Sequence, residues 1–105
     1  MGVNAIFGLS YPINGDGSTT TFSINLRSIP AACWGTDVSG GPVDMSGQTF
    51  AGIYGTCSVD DPTSTHPVTV NSQSLSNDVL TLTVNTALAN NYLYNVYASI
   101  LCPAQ

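Results

Sequence analysis

From Thr20 the run Thr-Thr-Phe-Ser-Ile-Asn-Leu sets Phe22, Ile24 and Leu26 on one side of an extended chain and Thr21, Ser23 and Asn25 on the other. Strict alternation of this kind is the mark of a strand with one face buried and one in water. It returns from Val79, where Leu80, Leu82 and Val84 oppose Thr81 and Thr83. It returns again from Tyr92: Tyr94, Val96, Ala98 and Ile100 share the face of Tyr92, while Leu93, Tyr97 and Leu101 alternate with Asn95 and Ser99 on the other. The second face of that last run is itself partly apolar, so a neighbour is expected to cover it. Helix is disfavoured on independent grounds. The six acidic residues are all Asp and the single basic residue is Arg27, so no Glu–Lys pairs at i, i+4 can form.

Weaker strand signals lie at 5–11 and from Val68 and Val70 onward, with short candidates at 43–45 and 50–54. Asn14-Gly15-Asp16-Gly17 separates the first two runs and is expected to close a hairpin, because Asn-Gly and Asp-Gly supply the positive φ of tight turns. Ser76-Asn77-Asp78 does the same before Val79. Residues 29–67 are rich in Gly, Pro, Ser and Thr and read as long loops with short edge strands. No internal repeat is visible. Many short strands with such turns predict an all-β chain: an antiparallel β-sandwich of the Ig-like or jelly-roll type, in one domain over 1–105, with a barrel as the alternative. Phe22, Ile24, Leu26, Leu80, Leu82, Val84 and Val96 are its expected shared core.

A net charge of −5 with 7% charged residues leaves Ser, Thr and Asn to solvate the surface. One cation cannot neutralise a run of phosphates or hold an anionic leaflet, so neither nucleic acid nor membrane is an expected partner. No apolar run reaches the roughly 20 residues that span a bilayer. The start reads as mature from Met1, without the basic stretch of a secretory signal, and Ile6 stands where a myristoylation motif has Ser or Thr. Cys33, Cys57 and Cys102 are odd in number and widely spaced, and His66 is the single histidine. Neither a structural disulfide nor a metal site is therefore expected.

Several short patterns approach known chemistry and fall short. Gly15-Asp16-Gly17 lacks the third glycine and the following helix of a dinucleotide loop. Gly8-Leu9-Ser10-Tyr11-Pro12 misses the last glycine of a nucleophile elbow, so Ser10 reads as a strand residue. Asn14, Asp16 and Ser18 begin like a calcium loop, but Asn25 stands where the bidentate Glu belongs. His66 sits in a Pro-bracketed loop with Asp60, Asp61 and Thr65 and reads as an exposed loop histidine. No paired acid and base or nucleophile and base can be placed, so the chain is expected not to be an enzyme and to need no cofactor. Trp34 and Tyr54, near Gly-rich stretches, are candidate aromatic contacts, with core packing the competing role for Trp34. Tyr92, Tyr94 and Tyr97 are candidate interface residues, since tyrosine offers contact area at low entropic cost.

The segment Asn-Gly-Asp-Gly-Ser-Thr-Thr-Thr-Phe-Ser-Ile-Asn-Leu from Asn14, followed by the alternating runs from Ser74 and Tyr92, resembles small β-sandwich proteins of tailed-phage virions. That resemblance implies a capsid decoration (cement) or head-fibre protein, made in the host cytoplasm and carried on the virion surface. Its implied partners are the major capsid protein and further copies of itself, as a trimer or another oligomer. A chain of this length has a thin stability margin, which burial against neighbours would widen. The contrasting expectation from the aromatic residues is a carbohydrate-binding module of a tail fibre or adhesin.

Overall fold

Strands that alternate apolar and polar residues must press their apolar faces on a second layer. A computed structural model, which describes residues 4–36 and 39–103, shows two antiparallel sheets doing so. The strands are β1 Ala5–Asn14, β2 Thr21–Asn25, β3 Gly52–Ile53, β4 Ser58–Asp60, β5 Val70–Ser76, β6 Val79–Val84 and β7 Leu93–Cys102. In the first sheet β7 is central, with β1 along one side and the short β3 and β4 along the other. The second sheet has the order β2-β6-β5. One 3₁₀ turn, Ala31–Trp34, lies against β1. The β-sandwich expectation is met, as two separate sheets and not a closed barrel.

The faces follow the alternation. Leu9, Tyr94, Val96, Ala98, Ile100 and Cys102 of the first sheet meet Ile24, Leu80, Leu82 and Val84 of the second in one core. Of the expected core residues, Phe22 is only partly buried and the rest are buried. A bulge at Asn71, between the pairs Val70↔Val84 and Ser72↔Thr83, resets β5 so that Val70, Gln73 and Leu75 all face inward. Gln73 then stitches the sandwich shut. Its Nε2 donates to the Gly55 carbonyl at 2.8 Å and its Oε1 accepts the Cys57 N–H at 2.7 Å. Replacing Gln73 with alanine leaves the Cys57 N–H buried without its partner and the exposed Gly55 carbonyl to water, and a loss of about 1–3 kcal/mol is expected in a urea titration. An unchanged midpoint would show that water replaces the amide without cost.

The two turns behave differently. Asn77 and Asp78 have φ of 51° and 66° and join Ser76 to Val79, the two-residue geometry in which both central residues are left-handed. The 14–17 turn, expected to close a hairpin, does not. β1 pairs with β7 and β2 with β6, so this segment crosses from one sheet to the other. It is pinned to the approach of β7, Gly15 N–H donating to Tyr92 O and Gly17 N–H to Leu88 O, both at 2.8 Å. A Cβ on Gly15 would stand 1.9 Å from Ala89 O, so close approach of backbone to backbone is what demands glycine there.

The candidate strand at 43–45 is also absent. Met45 is buried, and its carbonyl is taken by Arg27 Nη1 at 3.1 Å and by the Gln48 N–H at 3.1 Å. Arg27 organises the whole loop. Its Nε reaches Asp78 at 3.1 Å, its Nη2 the Gln48 carbonyl, and its guanidinium lies 4.2 Å from the centre of the Phe50 ring. β4, in turn, was not expected from the sequence.

Candidate functional site

The outer faces of the two sheets differ in chemistry. On the second sheet the cross-strand rows are Thr21–Thr83–Ser72, Ser23–Thr81–Ser74 and Asn25–Val79–Ser76. Their hydroxyls bond one another, Thr21 to Thr83 at 2.9 Å and Ser23 to Thr81 at 3.0 Å. On the first sheet the rows read Ile6–Leu101–Gly52, then Gly8–Ser99, then Ser10–Tyr97–Ser58, then Pro12–Asn95–Asp60, then Asn14–Leu93. Tyr54 completes the second row, because its N–H donates to Ser99 O at 2.8 Å in continuation of β3.

Among the described residues the exposed large hydrophobic side chains are Ile6 (49%), Tyr54 (60%), Leu93 (48%) and Tyr97 (42%), and all four stand on this one face. Placed at random they would fall on both faces and on the loops. On that face Tyr54 and Tyr97 are neighbours, while Ile6 and Leu93 stand at its two ends. Tyr54 and Tyr97 occupy adjacent rows on neighbouring strands, a diagonal of about 7–8 Å. Beside Tyr97 runs a groove of about 480 Å³, floored by Gly8, Ser10 and Ser99 and walled by Ser58, by Cys33 and by the edge of Trp34. Neutral hydroxyls and aromatic rings line it, and the strand positions of the entire face carry a single ionisable carboxylate, Asp60.

The expected interface group is divided. Tyr97 is on the exposed face, but Tyr94 lies fully in the core, where its hydroxyl accepts the Ala89 N–H at 2.8 Å and donates to the His66 carbonyl at 3.4 Å. Tyr92 is half-buried, its ring 4.2 Å from that of His66. The period of two explains the division: Tyr94 and Tyr97 are three residues apart and must point to opposite faces. Tyr92, Tyr94 and Tyr97 therefore do not form one patch. Trp34 and Tyr54 do not form one platform either. Trp34 is buried and stacks on Phe50 at 5.5 Å, while Tyr54 belongs to the outer face. The structure instead brings Tyr54 together with Tyr97 on the face of Leu93, and adds Ile6 and Gly8, which the sequence did not single out for contact.

The titratable groups serve the loops. Asp61 accepts the N–H groups of Thr63, Thr65 and His66 and the Thr63 hydroxyl. His66 Nδ1 meets the Thr65 hydroxyl at 3.0 Å, and the carboxylate reaches the His66 backbone and not its ring. Asp16, the centre of the calcium-like pattern, accepts from the Ser18 and Thr19 N–H groups and hydroxyls, and these bonds, that of the Thr19 hydroxyl first, hold its carboxyl well below the usual carboxylate range. Burial pushes the thiols of Cys33, Cys57 and Cys102 up, away from the thiolate form that reacts.

Fold and faces together define an antiparallel β-sandwich with one hydroxyl-covered outer face and one on which Ile6, Tyr54, Leu93 and Tyr97 stand among neutral polar residues and Asp60. Comparison with protein-family models, with curated proteins and with solved structures finds no match to the chain.

Proposed function

We propose that the chain is a non-enzymatic structural protein of a virion, a decoration (cement) protein held as an oligomer on the outer surface of the capsid. The observation that carries the reading is the one-sided placement of Ile6, Tyr54, Leu93 and Tyr97. A freely soluble monomer gains nothing from collecting its exposed apolar groups on one sheet, whereas a subunit that is covered in an assembly does. The likeness of its turn-and-strand segments to small phage virion proteins supplies the shell and its major capsid protein as the partners. A face with Asp60 as its single strand carboxylate attaches by shape and apolar contact, so raising salt should change attachment little.

Co-sedimentation with capsids lacking the protein tests this. Binding at about tens of micromolar, similar at low and high salt and lost in a Tyr54→Ser/Tyr97→Ser double variant, is the expected result. Absence of the wild-type chain from the pellet at both salt concentrations would refute it. The groove favours one other reading, a carbohydrate-binding module, since Tyr97 beside Ser10, Ser58 and Ser99 offers a ring to stack on and hydroxyls to bond. Retention on a neutral polysaccharide matrix together with no capsid binding would select that reading.

A further inference from the structure

Residues 43–50 close the end of the sandwich at which β7 finishes and the turn at Asn77 and Asp78 sits. Both ends of this segment are fixed by pairing: Pro42 bridges Thr36, and the Ala51 N–H donates to Leu101 O at 2.9 Å. Between them there is no ladder. Among the described residues one backbone–backbone bond leaves the segment for the body, Val43 N–H to Gly35 O at 3.5 Å. The others are local, from Ser46 N–H to the Asp44 carboxylate and from Gln48 N–H to Met45 O. What holds the segment down is the burial of Met45 and Phe50 together with Arg27, whose guanidinium takes the Met45 and Gln48 carbonyls and covers the Phe50 ring. It does not lie flat: a cavity of about 200 Å³ stays open between it and Leu26, Ile29 and Trp34.

We propose that residues 43–50 form a strap that opens and closes as a unit of its own while both sheets stay folded, with Arg27 as its latch. The division of bonds is the reason for the first part. Local opening selects segments whose release breaks few buried contacts and no strand pairing, and this one gives up two buried side chains and one long backbone bond. The reason for the second part is that Arg27, the one basic residue of the chain, belongs to the body and reaches across to the strap. Asp78 fixes its Nε at 3.1 Å, which leaves Nη1 and Nη2 aimed at the strap carbonyls. That ion pair lies at the surface, its side chains 36% and 37% exposed, where water and salt compete with it. Opening parts Phe50 from Trp34 and uncovers Leu26 and Trp34, an apolar surface that the closed protein hides.

The thioether of Met45 reports the strap directly. A buried methionine is oxidised by hydrogen peroxide only as often as it is exposed, and peptide mass locates the sulfoxide. In the full chain at neutral pH, Met45 should oxidise in dilute urea, below the unfolding transition, at nearly its rate in water, because opening the strap exposes little surface. A rate that climbs with the whole slope of global unfolding would overturn the proposal, since the strap would then open only with the sandwich.

Arg27→Gln removes the charge and most of the donors, and should raise the Met45 rate about tenfold or more while circular dichroism still shows the sheets. Asp78→Asn keeps a residue suited to the left-handed turn, where φ is 66°, and loosens the latch without removing it. Its Met45 rate should rise about threefold. Trp34 is the single tryptophan, so its fluorescence gives an independent reading: acrylamide should quench it more in both variants, in the same order. Met45 and Trp34 as protected in both variants as in the wild type would overturn the latch. A rise in Asp78→Asn that comes only with loss of the sheet signal would overturn the separate opening. Capsid binding plays no part in these measurements, so their outcome is independent of the reading given to the outer face.

Discussion

Tyr94→Ala should leave little or no stable folded protein. The ring is fully buried among the first-sheet side chains, and removing a buried aromatic of this size costs about 3–5 kcal/mol. Its hydroxyl also accepts the Ala89 N–H at 2.8 Å, and leaving that donor without a partner adds about 1–3 kcal/mol. The sum, about 4–8 kcal/mol, is most of the stability of an ordinary domain. Tyr94→Phe separates the two parts, because it keeps the ring and loses only the hydroxyl, with its Ala89 and His66 bonds, for about 1–3 kcal/mol. Urea titration of both variants reads the difference. A Tyr94→Ala chain with a wild-type midpoint would contradict the placement of this residue in the core.

The second large effect belongs to Asp61. Its carboxylate holds residues 61–66 in place through the Thr63, Thr65 and His66 donors. The Thr63 hydroxyl, joined by the three backbone N–H groups, brings its pKa down to about 2 against the burial that raises it. In the unfolded chain an Asp titrates near about 3.9. The folded value is the lower one, so this carboxylate stabilises the fold fully above about pH 4 and ceases to do so as pH falls through about 2. The melting temperature should fall across that window in the wild type and fall less steeply in Asp61→Asn. Asp16 and Asp44 are also held low by hydrogen bonds, the Thr19 hydroxyl and the Ser46 N–H foremost, so the slope shrinks without vanishing. At neutral pH Asp61→Ala should melt well below the wild type, with His66 and Tyr92 losing their fixed contact. Parallel pH profiles for Asp61→Asn and wild type would show that the loop does not depend on this carboxylate.

Alternation made much of this fold legible. The runs from Thr20, Val79 and Tyr92 became β2, β6 and β7, and Asn77-Asp78 closed its hairpin, because period and turn chemistry are local properties. What depended on long-range pairing was hidden. β4 has three residues and one inward side chain, Val59, too few to show a period, and its partner β7 lies far onward in the chain, as in Val59↔Val96. Asn14-Gly15-Asp16-Gly17 has the residues of a hairpin turn whether it joins two strands of one sheet or crosses between sheets. Only the packing of Gly15 on Ala89 decides between them. Met45 sits in a loop because Arg27, 18 positions earlier, claims its carbonyl.

The candidate face was half legible for the same reason. The apolar second side of the last run, Leu93, Tyr97 and Leu101, was visible as a pattern that a neighbour should cover. Which residues join it from β1 and β3 is a matter of register. The pairs Ile6↔Leu101 and Ser10↔Tyr97, and the bond from Tyr54 to Ser99, assemble the face, and no sequence spacing reveals them. Grouping Tyr94 with Tyr97 failed because a common residue type was allowed to outweigh the parity of a strand.

The proposal that the outer face of the first sheet is covered in an assembly is tested most directly by hydroxyl-radical footprinting of the chain, free and mixed with capsids. Free protein should label strongly at Tyr54 and Tyr97, and the assembly should protect both together with Ile6 and Leu93. Labelling of the Thr- and Ser-rich outer face of the second sheet should not change. Protection confined to Thr21, Thr81 and Thr83, with Tyr54 and Tyr97 labelled as strongly as in the free chain, would contradict the account.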